Sequence, residues 1–351
     1  MGLLGFPAAG LRLGLPDGGS ESPSSSAYQA YTTIGDKFGA GANGPIIAVA
    51  DLPAGLTAQQ ATLKQVEVAE RLATVEGVDR VVPAGISPDR TTAVLQAIPT
   101  TGPADETTTR TVEQIRADAP AIAKSTGAEV EITGQTVANI DISAKLADAL
   151  PPYLAIVVGL SLVLLLLVFR SVVVPLVATA GFLISLVVAF GGVVAVYQHG
   201  FLGGLFGVAH PGPILSFLPI LLIGVLFGLA MDYQMFLVSG MREAHVHGED
   251  ARRAVRLGFS HAAAVVTAAA IIMISVFSGF IHAELTMIRP IGFGLALGVL
   301  TDAFLVRMTL TPALMHLLGE KAWWIPRWLD RILPDVDVEG LKLVDRVEHP
   351  R

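Results

Sequence analysis

Cysteine is missing from all 351 residues, which excludes disulfides and cysteine-held metals and leaves the redox compartment open. Charge is scarce. Asp, Glu, Lys and Arg make up 15% of the chain, where soluble domains carry about a quarter. Together with 52% hydrophobic residues and a mean hydropathy of +0.63, that shortage marks an integral membrane protein. The formal charge of −7, without a basic stretch interleaved with aromatics, speaks against nucleic acid as a partner. No nucleophile paired with a base, phosphate-cradling glycine loop or metal-ligand spacing is found. An enzyme is therefore not expected, nor a cofactor.

What is present is unevenly spread. Residues 1–26 read as the remainder of a preceding membrane segment and its loop: the opening run is too short to span, is interrupted by Pro7, and lacks the features of a signal peptide. Residues 27–148 are polar, with a globular pattern beginning at Gly44. Apolar, β-branched stretches at 45–51, 78–83, 92–98 and 129–133 read as strands. Segments 58–74 and 106–125 carry apolar residues at helical spacing and stop near Gly77 and Gly127. The order β-α-β-β-α-β predicts an α+β, ferredoxin-like domain with both helices on one face of an antiparallel sheet.

Residues 149–318 hold the long apolar runs. Five spans are predicted, at 151–169, 172–197, 213–240, 259–281 and 287–317, with 138–150 a helix running into the first. Arg170, the basic run from Arg242 to Arg256, and Lys321, Arg327 and Arg331 fall on one side, which the positive-inside rule makes cytoplasmic. The tail 319–351 is then cytoplasmic and residues 1–148 extracytoplasmic. The basic loop around 241–257 reads as a short interfacial helix. Its His245 and His247 diverge at two-residue spacing on a helix, which fits surface histidines better than a metal site.

Asp232 and Tyr233 lie inside the third span. An intramembrane carboxylate costs roughly 2.5–3.5 kcal/mol on insertion scales, so Asp232 is expected to face a protein interior or a wet cavity. Desolvation disfavours its charged form, which suits it to load and release a proton, and the neighbouring phenol can take part in that exchange. The competing reading makes Asp232 a buried polar residue that holds helices in register. Asp302, in the fifth span, is a second candidate, equally well read as a helix-pinning hydrogen-bond partner. Arg307 lies five residues on, about 140° around an α-helix, so a simple pair with Asp302 is not expected and Arg307 should reach toward the interface or a partner helix. Thr267, in the small-residue fourth span, either joins the relay or bonds back to its own helix.

GLAMDYQMFLVSGMRE, ARRAVRLGFSHAAAVVTAAAIIM and IGFGLALGVLTDAFLVRMTLTPALM, in that order, resemble the C-terminal half of MMPL-type transporters of the resistance-nodulation-division superfamily. NGPIIAVADL and EVEITGQT extend the resemblance into the polar domain. It implies a proton-driven exporter of lipids or other hydrophobic compounds in the bacterial inner membrane, with twelve spans in two repeats. An Asp-Tyr pair on the fourth and tenth helices is its proton relay, and Asp232 and Tyr233 match the second copy; the polar domain resembles the second porter domain. Five spans do not by themselves build that pseudo-symmetric core. The resemblance therefore implies a second chain supplying the other repeat, a homo-oligomer, or a truncated product. A non-transporting membrane-anchored binding or assembly protein, or a protein-export accessory of the same superfamily, are the alternatives.

Overall fold

The computed structural model describes residues 7–208 and 210–333. The polar domain is built on a four-stranded antiparallel sheet in the order β3-β4-β2-β5, with β2 (Ile46–Asp51), β3 (Val78–Ile86), β4 (Thr92–Pro99) and β5 (Glu129–Thr133). Ile46 pairs with Ala97 and Asp51 with Thr92, while Ile47 pairs with Thr133 on the other side. Along β2, Ile46, Ala48 and Ala50 are buried and the residues between them are not, the period of two that turns one face inward. Helices α2 (Ala58–Ala73) and α3 (Glu106–Thr126) supply Val68, Leu72, Val112, Ile115 and Ile122 to the same core. Thr57 and Gln60 form a capping box at the start of α2, Asp105 caps α3, and Gly127, at a left-handed φ of +71°, ends it.

Ahead of the sheet, within the polar region, lies one helix that the sequence pattern did not reveal. α1 (Ser26–Phe38) starts at Ser25, whose side chain accepts from the Tyr28 amide at 3.1 Å. Its Tyr28, Tyr31, Ile34 and Phe38 recur at helical spacing, but none is buried. The expectation of a residual span near the start falls partly on residues 1–6, outside the described residues. From Pro7 the chain makes a 3₁₀ turn and then β1 (Leu13–Gly14), which pairs in parallel with β6 (Ile214–Leu215). The predicted tail likewise lies outside the description beyond residue 333. Its described part includes a short helix, Arg327–Ile332.

Among the described residues, five helices are long and apolar enough to cross a membrane. α4 (Gln135–Phe169) follows β5 directly and runs unbroken through Pro151 and Pro152. At 1.5 Å per residue its 35 residues reach about 52 Å, against a hydrocarbon core of about 30 Å, so one end belongs to the polar domain. α5 (Val173–Val193) continues as a π-helical turn, Val194–Gln198, before β6 leads into α6 (Leu218–Val246). α7 (Ala251–Gly279) is followed by α8 (Ile288–Leu300), a π-helical stretch Thr301–Leu310, and α9 (Thr311–Leu318).

The separate interfacial helix expected around 241–257 is not formed. Instead α6 and α7 extend to meet at a turn through Gly248, at φ +94°, with Asp250 capping α7. His245 stacks on Trp323 and His247 bonds back to the Glu243 carbonyl. Two glycines close this hairpin: a Cβ on Gly258 would stand 2.4 Å from the Met241 amide nitrogen and 2.7 Å from the Gly240 carbonyl carbon. Those are backbone atoms, so neither helix can yield locally. Along α8, Gly294 and Gly298 admit Leu222 and Leu226 of α6 in the same way.

Gly258→Val should therefore separate α6 from α7 and cost at least the roughly 1–3 kcal/mol typical of overpacking, read as a fall in the melting midpoint of the purified protein. Gly279→Ala, with open space around it, is the matched control. Equal melting of the two variants would refute the close-packed hairpin.

Candidate functional site

A buried charged pair sits where the last span changes its winding. In an α-helix, positions five apart diverge; in a π-helix the backbone bonds run from i to i+5 and such positions come close to alignment. Thr301–Leu310 is wound in that way, and the Thr309 hydroxyl donates to the Phe304 carbonyl, five residues back, at 2.9 Å. Asp302 and Arg307 thus come together, contrary to the expectation from α-helical spacing. Arg307 Nε donates to Asp302 Oδ2 at 2.6 Å and Nη2 to Oδ1 at 3.4 Å. Arg307 reaches no interface. It is 1% exposed and Asp302 4%.

A third member comes from α6. Arg307 Nη1 donates to Gln234 Oε1 at 2.7 Å, and Gln234 is 1% exposed. Sequence reasoning passed over Gln234 although a polar amide in an apolar span is itself a signal. The Gln234 amide nitrogen has no hydrogen-bond partner among the described residues, and neither do the buried hydroxyls of Thr179 on α5 and Thr311 on α9. Buried donors are nearly always paired, so each of these calls for a water, an ion or a functional role.

Asp232 lies on the other side of α6. Two residues from Gln234 is about 200° around the helix, and Asp232 is exposed, in a stripe with Leu221, Val225, Gly228 and Phe236. It makes no hydrogen bond or ion pair with another described residue. The expectation that it faces an interior is not met within this chain, because the inward face of α6 is taken by Tyr233, Gln234 and Leu237. Tyr233 is buried on that inward side, next to Gln234. Thr267 donates to the Ala263 carbonyl of its own helix at 2.7 Å and touches Met308 Sδ at 3.3 Å, away from Asp302.

A Gln-Arg-Asp cluster is thus buried among the spans, with Tyr233 beside Gln234 on the inward side of α6 and Asp232 on the opposite one. The MMPL family model matches residues 21–334. The chain belongs to the MMPL family. "Membrane protein YdfJ" of Bacillus subtilis (strain 168) is 43% identical over 350 residues, covering 99% of this chain and 47% of that protein. "Mycolic acid-containing lipids exporter MmpL11" of Mycolicibacterium smegmatis is 32% identical over 339 residues, 96% of this chain and 35% of its own length. "Trehalose monomycolate exporter MmpL3" of the same organism is 34% identical over 224 residues, covering 64% of this chain and 22% of that protein. This MMPL chain thus spans about half the length of the curated relatives it matches, or less.

Removing one partner of a buried ion pair leaves an uncompensated charge and costs about 3–5 kcal/mol, whereas replacing both can be nearly neutral. Arg307→Met in this MMPL chain should therefore be strongly destabilised, and Asp302→Leu added to it should recover at least half the loss in melting midpoint. A double variant no more stable than the single one would show that the pair is not closed in the membrane.

Proposed function

We propose that this chain is one half of an MMPL exporter that moves lipids or other hydrophobic molecules across the bacterial inner membrane, driven by protons. The observation that carries the reading is the two-sided α6: Asp232 open on one face, Gln234 tied to the buried Asp302–Arg307 pair on the other, and Tyr233 between them. A proton taken up at Asp232 removes a negative charge from the surroundings of Tyr233 and the inner pair. The hydrogen bonds at Gln234 and Arg307 then favour a different position of α6 against the π-helical segment, and a bistable bundle converts that preference into movement.

An exposed carboxylate in the middle of an apolar stripe is costly against lipid. In the working assembly that stripe is covered by a second MMPL repeat with its own Asp-Tyr pair, whether in the same polypeptide or another. Lipid as cargo is supported by the printed names of the MmpL11 and MmpL3 relatives. The orientation follows the arginines: Arg170, Arg242, Arg252, Arg253 and Arg256 gather at one end of the bundle, which is read as cytoplasmic. The β-α-β-β-α-β domain, with strand order β3-β4-β2-β5, is read as a ferredoxin-like porter domain outside the membrane. On this reading the chain works as part of a secondary transporter and not as an enzyme.

Reconstituted with the other repeat, the wild type should export labelled lipid when a proton gradient is imposed, and Asp232→Asn should lower the rate at least tenfold with an unchanged melting midpoint. Export undiminished in Asp232→Asn would defeat proton coupling at this residue and favour a register role. If the wild type also exports nothing, a membrane-anchored binding protein becomes the better account.

A further inference from the structure

The tryptophans of this chain, Trp323, Trp324 and Trp328, all stand within one short stretch that follows the last span. We propose that residues 324–332 lie in the headgroup layer at the basic end of the bundle and bind anionic phospholipid there.

The depth of this stretch is set by what it is sewn to. α4 ends at Arg170, whose Nη2 donates to the Asp330 carbonyl at 2.9 Å and to Asp330 Oδ1 at 2.6 Å. The Ser171 hydroxyl donates to the Ala322 carbonyl at 2.7 Å, and the Val172 amide to the Trp324 carbonyl at 3.2 Å. Ser171 and Ala322 are fully buried, so this seam is closed to water. Residues 170–172 form the turn between two spans. The stretch is therefore held where α4 leaves the hydrocarbon and α5 enters it.

Its outer side is apolar and uncovered. Trp324, Trp328 and Ile332 are each more than half exposed, as is Leu317 on the final turn of α9, so the patch continues the outer surface of the last span. In the short helix Arg327–Ile332, Trp328 and Ile332 stand four apart and share one side, while Arg327 and Arg331, also four apart, share the side next to it. Indoles suit an interface, with the ring among acyl chains and the N–H at the headgroups. A short amphipathic segment with arginines beside aromatics lies in that plane. The bilayer already reaches this level because the spans do, and it covers the patch without a further protein.

Charge selects the lipid. Asp330 is matched by Arg170. The side chains of Lys321, Arg327 and Arg331 are exposed and make no hydrogen bond or ion pair with another described residue. Glu320 is the one opposing carboxylate in the stretch that Arg170 does not match, and it lies 3.7 Å from His245. A chain with a formal charge of −7 thus keeps a positive surface beside its tryptophans. Phosphatidylcholine carries its own cation against its phosphate, whereas phosphatidylglycerol leaves the phosphate to the arginines. Each arginine or lysine close to an anionic surface strengthens the association about fivefold.

Indole emission from the full chain reports this stretch alone, since no other tryptophan is present. In phosphatidylcholine nanodiscs doped with brominated lipid at equal bromine content, brominated phosphatidylglycerol should quench that emission at least about twice as strongly as brominated phosphatidylcholine. Arg327→Gln combined with Arg331→Gln should bring the two quenchers to parity at an unchanged melting midpoint. Arg327→Lys with Arg331→Lys, which keeps the charge, should keep the difference, as should Arg71→Gln at an exposed position on α2 of the polar domain. Emission that neither lipid quenches would place the stretch against water or a protein, and equal quenching in the wild type would show no preference for anionic lipid. Either result, or a difference that survives the double glutamine variant, overturns the proposal. The measurement involves no export, so its outcome and that of the export reading are separate.

Discussion

The membrane half of the structure depends on a guanidinium and a carboxylate kept together out of water. Arg307 is the bulkiest of the fully buried side chains, and only its bonds to Asp302 and Gln234 make its presence there tolerable. That geometry exists because ten residues, Thr301–Leu310, are wound more loosely than the helices before and after them. Returned to α-helical winding, the stretch would point one of the two charges at lipid or at a wall of leucines. The π segment and the pair are therefore one device: the winding brings the two charges together, and neither charge is tolerable there without its partner.

The packing around that device leaves little freedom. Gly181 lies against Val306 and Gly298 against Leu226 so closely that a Cβ would stand 2.2 Å and 2.6 Å from those side chains. Glycine at these positions lets the side chains of Val306 and Leu226 seat directly against the facing helix, and in a membrane such close packing and not hydrophobicity holds helices together. The cost is helix propensity, about 1 kcal/mol for each glycine relative to alanine, which the tight contacts must offset. A bundle joined in this way can occupy two arrangements but not a continuum between them, since small displacements lose contacts on both sides at once.

The sequence discloses some of this and conceals the rest for definable reasons. The strands around Ile46–Asp51 and Glu129–Thr133 are legible because one face of each must be apolar, and the five spans because nothing but a membrane explains their length. α1 escapes because its stripe of Tyr28, Tyr31, Ile34 and Phe38 follows a Gly/Ser/Pro-rich run that reads as a loop and is interrupted by Gly35, and nothing in it is buried. The turn at Gly248 escapes because charged residues at the end of a span resemble an interfacial helix in composition. The Asp302–Arg307 pair is misread by any argument that assumes 3.6 residues per turn; only the cost of leaving two charges unpaired in an apolar segment hints that the winding must change. Asp232 is conspicuous as a residue, but its exposure depends on which face of α6 Gln234 takes, and that follows from Arg307, 73 positions away.

The polar domain and the bundle are connected by α4 and by what touches it. Arg116 of α3 grips Asp141 with two bonds of 2.7 Å, yet both side chains are over 40% exposed, and a surface pair of that kind contributes about 0–1 kcal/mol. The stronger link is continuity: β5 passes into α4 through Gly134 and Gln135 with no loop between them. Lower down, Ser143 of α4 shares a buried hydrogen bond of 2.8 Å with Ser216, two residues before α6 begins. A displacement of α6 along its axis must either break that bond or draw α4 with it. Because α4 is a single helix from the sheet into the membrane, what draws α4 also tilts the domain. The helix that bears Asp232 and Gln234 is thus joined mechanically to the strands outside the bilayer by one hydrogen bond and one unbroken rod.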